Sequence, residues 1–224
     1  LTTAIVHLLE KKAIPELIQI NNKIREKPAD TASFLTEFLS SADGIALSLQ
    51  GPPGTGKTTV TGELIARLID KNQSIVVSSQ THEAINNLLK SVQRNVQSLS
   101  STPFVVKLSS GTSEKSDQRS LSGTKVQALR ENDLKSKANV LGATVFSLVK
   151  ERFGEKPYDL LVIDEAGQVS LSNLLFMSHC ARNILLVGDQ NQLSQPNRAQ
   201  IPTPWVTDNR HMHLLIRLIR KIRG

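Results

Sequence analysis

The sequence predicts an α/β protein, a parallel sheet flanked by helices with a small inserted segment. Three observations predict it. Short apolar runs recur with helix-length segments between them, the pattern of βα units whose strands are buried on both faces. One of these runs leads directly into a glycine-rich turn and then a helical pattern. The 224 residues are 39% hydrophobic and 21% charged, a globular balance in a chain long enough to bury a core without disulfides or metals.

Residues 4–26 read as helix in two pieces broken at Pro15, with Leu17, Ile20 and Ile24 on one face. Residues 1–40 are thus a helical segment ahead of a sheet domain at 41–196. Strands are expected at Ile45–Leu49, Ser74–Ser78, Phe104–Leu108, Val140–Val145, Asp159–Ile163 and Ile184–Val187. Helices are expected at Thr58–Ile69 and from about Glu83 to Val92. The alternation breaks between Gln93 and Lys137, where the chain is serine-rich and basic. Residues 93–137 read as an insertion, with Ser109–Gly123 as a mobile loop. In residues 197–224, Leu215, Leu218, Ile219 and Ile222 recur at helical spacing with Arg217, Arg220 and Lys221 on other faces. A basic amphipathic helix of that kind packs on its own domain, stays disordered in a truncated product, or docks on an anionic surface or partner groove.

The net charge is +7, and its distribution matters more than its size. Residues 90–137 carry a net +5 and residues 201–224 a net +4, which leaves a near-neutral body and two basic segments. The single cysteine, Cys180, excludes an intrachain disulfide and sets the expectation of a reducing, cytoplasmic compartment. No apolar run approaches about 18 residues, so no conventional membrane-spanning helix and no membrane partner are expected. His211 and His213 have no Cys, Asp or Glu spaced to complete a metal site. A chain that starts at Leu1 reads as processed or as a fragment.

Gly51-Pro52-Pro53-Gly54-Thr55-Gly56-Lys57-Thr58 matches G-x-x-x-x-G-K-[ST] in full, with an apolar strand before it and a helix after. Glycines let successive backbone N–H groups turn inward onto phosphate oxygens, and the helix N-terminus adds its positive dipole end. Gly51 to Thr59 are therefore the expected nucleotide-binding residues. Lys57 is expected on the β- and γ-phosphates and Thr58 on Mg²⁺. Leu160-Leu161-Val162-Ile163-Asp164-Glu165 is a buried strand ending in two acids, where open α/β sheets bind ligands. Asp164 suits the metal and Glu165 suits the general base that orients water. The only Asn-Lys, Asn22-Lys23, lacks the aspartate of a guanine reader, so ATP is the expected nucleotide.

A third strand runs into Gly188-Asp189-Gln190-Asn191-Gln192-Leu193, where polar groups can sense the γ-phosphate. Together, Gly51–Thr59, Asp164-Glu165-Ala166-Gly167 and Gly188–Leu193 resemble motifs I, II and III of the superfamily 1 helicases. The likeness is to the 5′-to-3′ branch that holds the nonsense-mediated-decay helicase and the replication nuclease-helicases. Gln50 and the double proline are typical of that branch, and Ser194-Gln195-Pro196 resembles some bacterial nuclease-helicase fusions. Ser79-Gln80-Thr81-His82-Glu83-Ala84-Ile85-Asn86-Asn87-Leu88 resembles motif Ia, and Gly142-Ala143-Thr144 a later strand-touching segment.

The resemblance covers residues 45–196 and implies a first RecA-like domain, with residues 93–137 as its inserted domain 1B. It implies an ATP- and Mg²⁺-dependent helicase core in which Lys57, Glu165 and Gln192 are catalytic. Ser79, Gln80, Thr81 and Thr144 would meet single-stranded DNA or RNA. Thr81 also suits a helix N-cap. A second RecA-like domain, and possibly a nuclease domain, are expected in the full-length protein. Lys27–Ser41 holds no glutamine where the family carries its adenine reader. Two rivals remain open: an AAA-type P-loop ATPase, and a nucleotide-gated nucleic-acid-binding module without turnover.

Overall fold

Seven strands, every pair of them parallel, build one sheet: β1 (Ala46–Gln50), β2 (Ile75–Ser78), β3 (Val105–Leu108), β4 (Gln127–Leu129), β5 (Val140–Gly142), β6 (Tyr158–Ile163) and β7 (Ala181–Gly188). Their order is β1-β7-β6-β2-β5-β3-β4. The computed structural model describes Ala4 and residues 15–96, 102–109, 113–134, 136–150 and 157–189. The helices among these are α1 (Pro15–Glu26), α2 (Thr31–Ser41), α3 (Lys57–Asp70), α4 (His82–Val96), α5 (Glu114–Ser120), α6 (Val145–Lys150) and α7 (Leu171–Met177).

Alternation along the strands splits the core into two layers. Ile75, Val77, Leu160, Val162, Leu185 and Val187 pack with Leu64, Leu68, Leu88 and Val92 of α3 and α4. Their neighbours Val76, Leu161, Ile163, Ile184 and Leu186 face the other way, onto Val145, Leu148, Leu174 and Met177 of α6 and α7. Both faces are covered, which is why these strands read as unbroken apolar runs. Leu17, Ile20 and Ile24 lie half-buried against the first layer, as their spacing predicts. Helix α1 opens on Pro15, a residue suited to a first helical turn because its missing N–H has no helical partner there.

Three expectations are corrected. The stretch at 93–137 is not a body set upon the sheet, because β3 and β4 are its outer strands. Edge strand β4 escapes the sequence pattern because Gln127 is exposed and Ala128 and Leu129 are half-buried, with little apolar signal. Nor is Ser109–Gly123 a bare loop, since it holds α5, whose Asp117 is buried. The strand expected to reach Val145 stops at Gly142, because the Thr144 hydroxyl accepts from the Ser147 amide at 3.4 Å and caps α6. Glycine at 142 has a packing reason: a Cβ there would lie 2.7 Å from Leu89 Cδ1 and 2.9 Å from Ile85 Cγ2.

Candidate nucleotide site

Parallel pairing places the C-terminal ends of all seven strands along one edge. Three of them build the site. The Gly51 amide donates to the Gly188 carbonyl at 3.3 Å, which carries the β1–β7 ladder one residue into the glycine loop. Thr55 Oγ1 then donates to the Pro52 carbonyl at 2.8 Å and closes the turn. Gly54 and Gly56 hold φ of 77° and 79°, left-handed values that a residue with a Cβ adopts only with strain. Lys57 opens α3, and its Nζ donates to the carbonyls of Gly51 at 2.6 Å and Pro52 at 2.7 Å. Thr58 is half-buried and Thr59 exposed in the first helical turn, while Pro52 to Gly56 are exposed.

Strand β6 brings in the acids. The Asp164 amide donates to the Ser78 carbonyl at 2.9 Å, holding the strand end against β2. Asp164 is 8% exposed, and its carboxylate accepts the Glu165 amide at 3.0 Å on Oδ1. Burial pushes the Asp164 carboxyl above the usual aspartate range. The Glu165 charge adds to that shift, while the Glu165 amide and the Lys57 charge oppose it. Glu165 itself has φ 52° and ψ 38°, left-handed for a residue that is not glycine. Backbone strain of this kind, about 1–3 kcal/mol, persists where the surroundings over-determine it and clusters at functional sites. Ser79 Oγ lies 3.5 Å from Glu165 Oε2, and Gln80 Nε2 donates to the Gln168 carbonyl at 3.0 Å. The loop after β6 is thereby tied to the loop after β2.

These residues fit a nucleoside triphosphate with a divalent cation. The acceptors now holding Lys57 are loop carbonyls of exposed Pro52 and half-buried Gly51, which phosphate oxygens can replace. Asp164 is a buried carboxylate whose charge is unfavourable until a cation compensates it. Among the described residues no three His, Cys, Asp or Glu side chains gather into a metal cage. Mg²⁺ binds through one or two protein oxygens plus phosphates, and the half-buried Thr58 and the buried Asp164 are the oxygen donors this edge offers.

The residues expected to meet nucleic acid divide. Thr81 is exposed, and its hydroxyl accepts the Ala84 amide at 3.1 Å as the cap of α4; Gln80 is half-buried. Ser79 is fully buried and Thr144 is 8% exposed. Both sit just past the ends of β2 and β5, in packed surroundings. Asp189 is buried at the end of β7; Gln192, the rest of that motif and the basic tail lie outside the described residues. A buried pair, Lys107 and Asp117, was not anticipated. Its one trace in the sequence is a lysine inside the apolar run Val105-Val106-Lys107-Leu108.

A parallel sheet with a lysine-bearing glycine loop, faced by a carboxylate two strands along, defines a P-loop nucleoside triphosphatase domain of RecA-like architecture. The chain belongs to the AAA_30 family, described as an AAA domain, whose model matches residues 29–222. Its curated relatives bear out the resemblance to superfamily 1 helicases drawn from the motifs. It is 30% identical over 157 residues to the DNA replication ATP-dependent helicase/nuclease DNA2 of Saccharomyces cerevisiae, covering 68% of this chain and 10% of that one. The human DNA2 matches at 26% over 144 residues, 64% of this chain and 14% of that one. The Arabidopsis thaliana helicase/nuclease JHS1 matches at 28% over 171 residues, 73% and 12%. The chain thus spans about a tenth of the length of these relatives. Among solved structures, an arterivirus nonstructural protein 10 helicase with DNA aligns at TM-score 0.42 and 17% identity, over 79% of this chain and 35% of that one. That likeness is too loose to weigh on fold or function.

Proposed function

We propose that this chain is the ATP-binding motor domain of a superfamily 1 helicase, one lobe of a motor that moves along single-stranded DNA or RNA. The observation that carries the reading is the shared sheet edge. Lys57 and Asp164 stand at the strand ends of β1 and β6, and the exposed Thr81 stands next along, after β2. A nucleotide site and a strand-facing loop so joined can influence one another through the Gln80–Gln168 hydrogen bond.

In this reading Lys57 holds the β- and γ-phosphates, and Thr58 and Asp164 hold Mg²⁺. Bound Mg²⁺ supplies neutralisation of the phosphate charge. Glu165 accepts the proton of the attacking water, which its place beside Asp164 allows. Gln192, by the motif likeness, reports the state of the γ-phosphate. Hydrolysis transfers the γ-phosphoryl group to water and is mostly positioning plus electrostatics. DNA2-type relatives join a helicase to a nuclease, and a companion RecA-like lobe and a nuclease in the same polypeptide belong to this proposal. The test is phosphate release by the chain with Mg²⁺ and ATP, with and without oligothymidine. Stimulation by the strand supports the motor reading. Nucleotide binding with no release at all would favour a gated binding module.

A further inference from the structure

Glu165 is held by more than its own strand. Ser79, the first residue past β2, is fully buried, and its Oγ donates to Glu165 Oε2 at 3.5 Å. No other acceptor takes that hydroxyl among the described residues. One position on, Gln80 Nε2 donates to the Gln168 carbonyl at 3.0 Å, and the next residue is the exposed Thr81 that caps α4. Glu165 is half-buried, with its backbone left-handed at φ 52° and its amide on Asp164 Oδ1 at 3.0 Å. A buried hydroxyl is costly to leave without a partner, so Ser79 keeps hold of this carboxylate.

Strand order gives the contact a direction. The sheet runs β1-β7-β6-β2, with Ser78 beside Ile163, so Ser79 lies on the far side of Glu165 from the loop that holds Lys57. A γ-phosphate between Lys57 and Asp164 stands on the β1–β7 side. The hydroxyl thus draws the carboxylate away from the water it must activate, which a general base has to approach to about 2.6–3.2 Å. At 3.5 Å the bond is long and readily broken. Glu165 keeps its strained backbone only while such ties hold it. A ligand that shifts Thr81 pulls directly on Ser79 and Gln80, one and two residues away.

We propose that Ser79 is a positioning residue for Glu165: it latches the carboxylate toward β2, and a strand seated on the loop after β2 releases it for hydrolysis. The inference rests on the strand-motor reading and adds how the strand regulates turnover. Latched and released forms are in equilibrium, and the strand binds the released one. Strand affinity and the strand-free rate therefore both scale with the released fraction.

The experiment measures two quantities on the 224-residue chain, with thermal melts as the fold control. One is the Kd for fluorescein-labelled oligothymidine; the other is phosphate release with Mg²⁺ and ATP, with and without saturating oligothymidine. Ser79→Ala should tighten strand binding about three- to tenfold, the scale of one lost hydrogen bond. Strand-free release should rise by the same factor, and stimulation by the strand should shrink to match. A serine that only packs, or that itself touches the strand, gives no such gain. Glu165→Ala removes the same latch from its other end and should also tighten strand binding. Glu165→Gln, equally uncharged, keeps an acceptor for Ser79 and should tighten it less. Ser79→Ala added to Glu165→Ala should go no further. The binding measurements need no turnover, and the Glu165 pair decides if Ser79→Ala fails to fold. Unchanged or weaker binding by Ser79→Ala, equal binding by the two Glu165 variants, or additive tightening in the double variant overturns this inference alone. No binding of oligothymidine by the wild type overturns it together with the motor reading.

Discussion

Replacing Lys57 by alanine tests the nucleotide site at the side-chain cation of its glycine loop. In the structure Nζ donates to two loop carbonyls at 2.6 and 2.7 Å. A phosphate would take their place, so the ammonium trades neutral acceptors for charged oxygens. The net gain is that of a charge-assisted hydrogen bond, about 1.5–3 kcal/mol. Lys57→Ala should therefore raise the Kd for Mg·ATP by about 10- to 150-fold, since each 1.4 kcal/mol is about tenfold. The fold should change little, because the carbonyl of exposed Pro52 and that of half-buried Gly51 can turn to water. Titration of a fluorescent ATP analogue, with a urea melt alongside, reads both quantities. A Kd within about twofold of wild type would sit inside the usual scatter of a single contact, and it would refute the phosphate role. Lys57 would then be a latch that closes the loop on itself.

Other outcomes follow from the same geometry. Asp164→Asn should weaken binding chiefly in its Mg²⁺ dependence, whereas Glu165→Gln should keep binding and abolish phosphate release; equal effects on Mg²⁺ dependence would mean the two roles are misassigned. Burial raises the Asp164 carboxyl, so its cation-holding charge is lost sooner than an ordinary aspartate's as pH falls from neutral. Mg²⁺-dependent binding should fade over that range, with no such fade in Asp164→Asn. For stability the sign reverses: the folded chain prefers the protonated form, so the ionised group destabilises at neutral pH and Asp164→Asn should raise Tm there. Gly62→Ala would place a Cβ 2.7 Å from Ser91 Cβ and 2.9 Å from the Ser91 carbonyl carbon, prising α3 from α4. It should cost about 1–3 kcal/mol in a urea melt despite alanine's better helix propensity, and a gain in stability would refute the close packing.

Local chemistry made much of this domain legible in the sequence. A strand buried on both faces must be apolar throughout, so β1, β2, β3, β6 and β7 announced themselves within a few residues of their ends. The glycine loop was legible for a stronger reason. Its left-handed turns at Gly54 and Gly56 and its lysine at the first helical position are properties of eight consecutive residues, needing nothing from the rest of the chain. The acids after β6 were legible because polar groups directly after an apolar strand emerge at a sheet edge.

Tertiary structure decided what depends on partners far along the chain. Strand order set β7 between β1 and β6, and so placed Asp164 two strands from the loop that holds Lys57. It made β3 and β4 the outer part of the same sheet, although their surroundings read as an insertion; edge strand β4 buries too little to carry an apolar signature. It buried Ser79 and Thr144 just past the ends of β2 and β5, beside the exposed Thr81. Above all it paired Lys107 with Asp117 under His82. Periodicity records which dihedrals and faces a segment prefers. Whether a buried lysine is tolerated depends on which carboxylate the fold carries to its side, and that is a non-local fact.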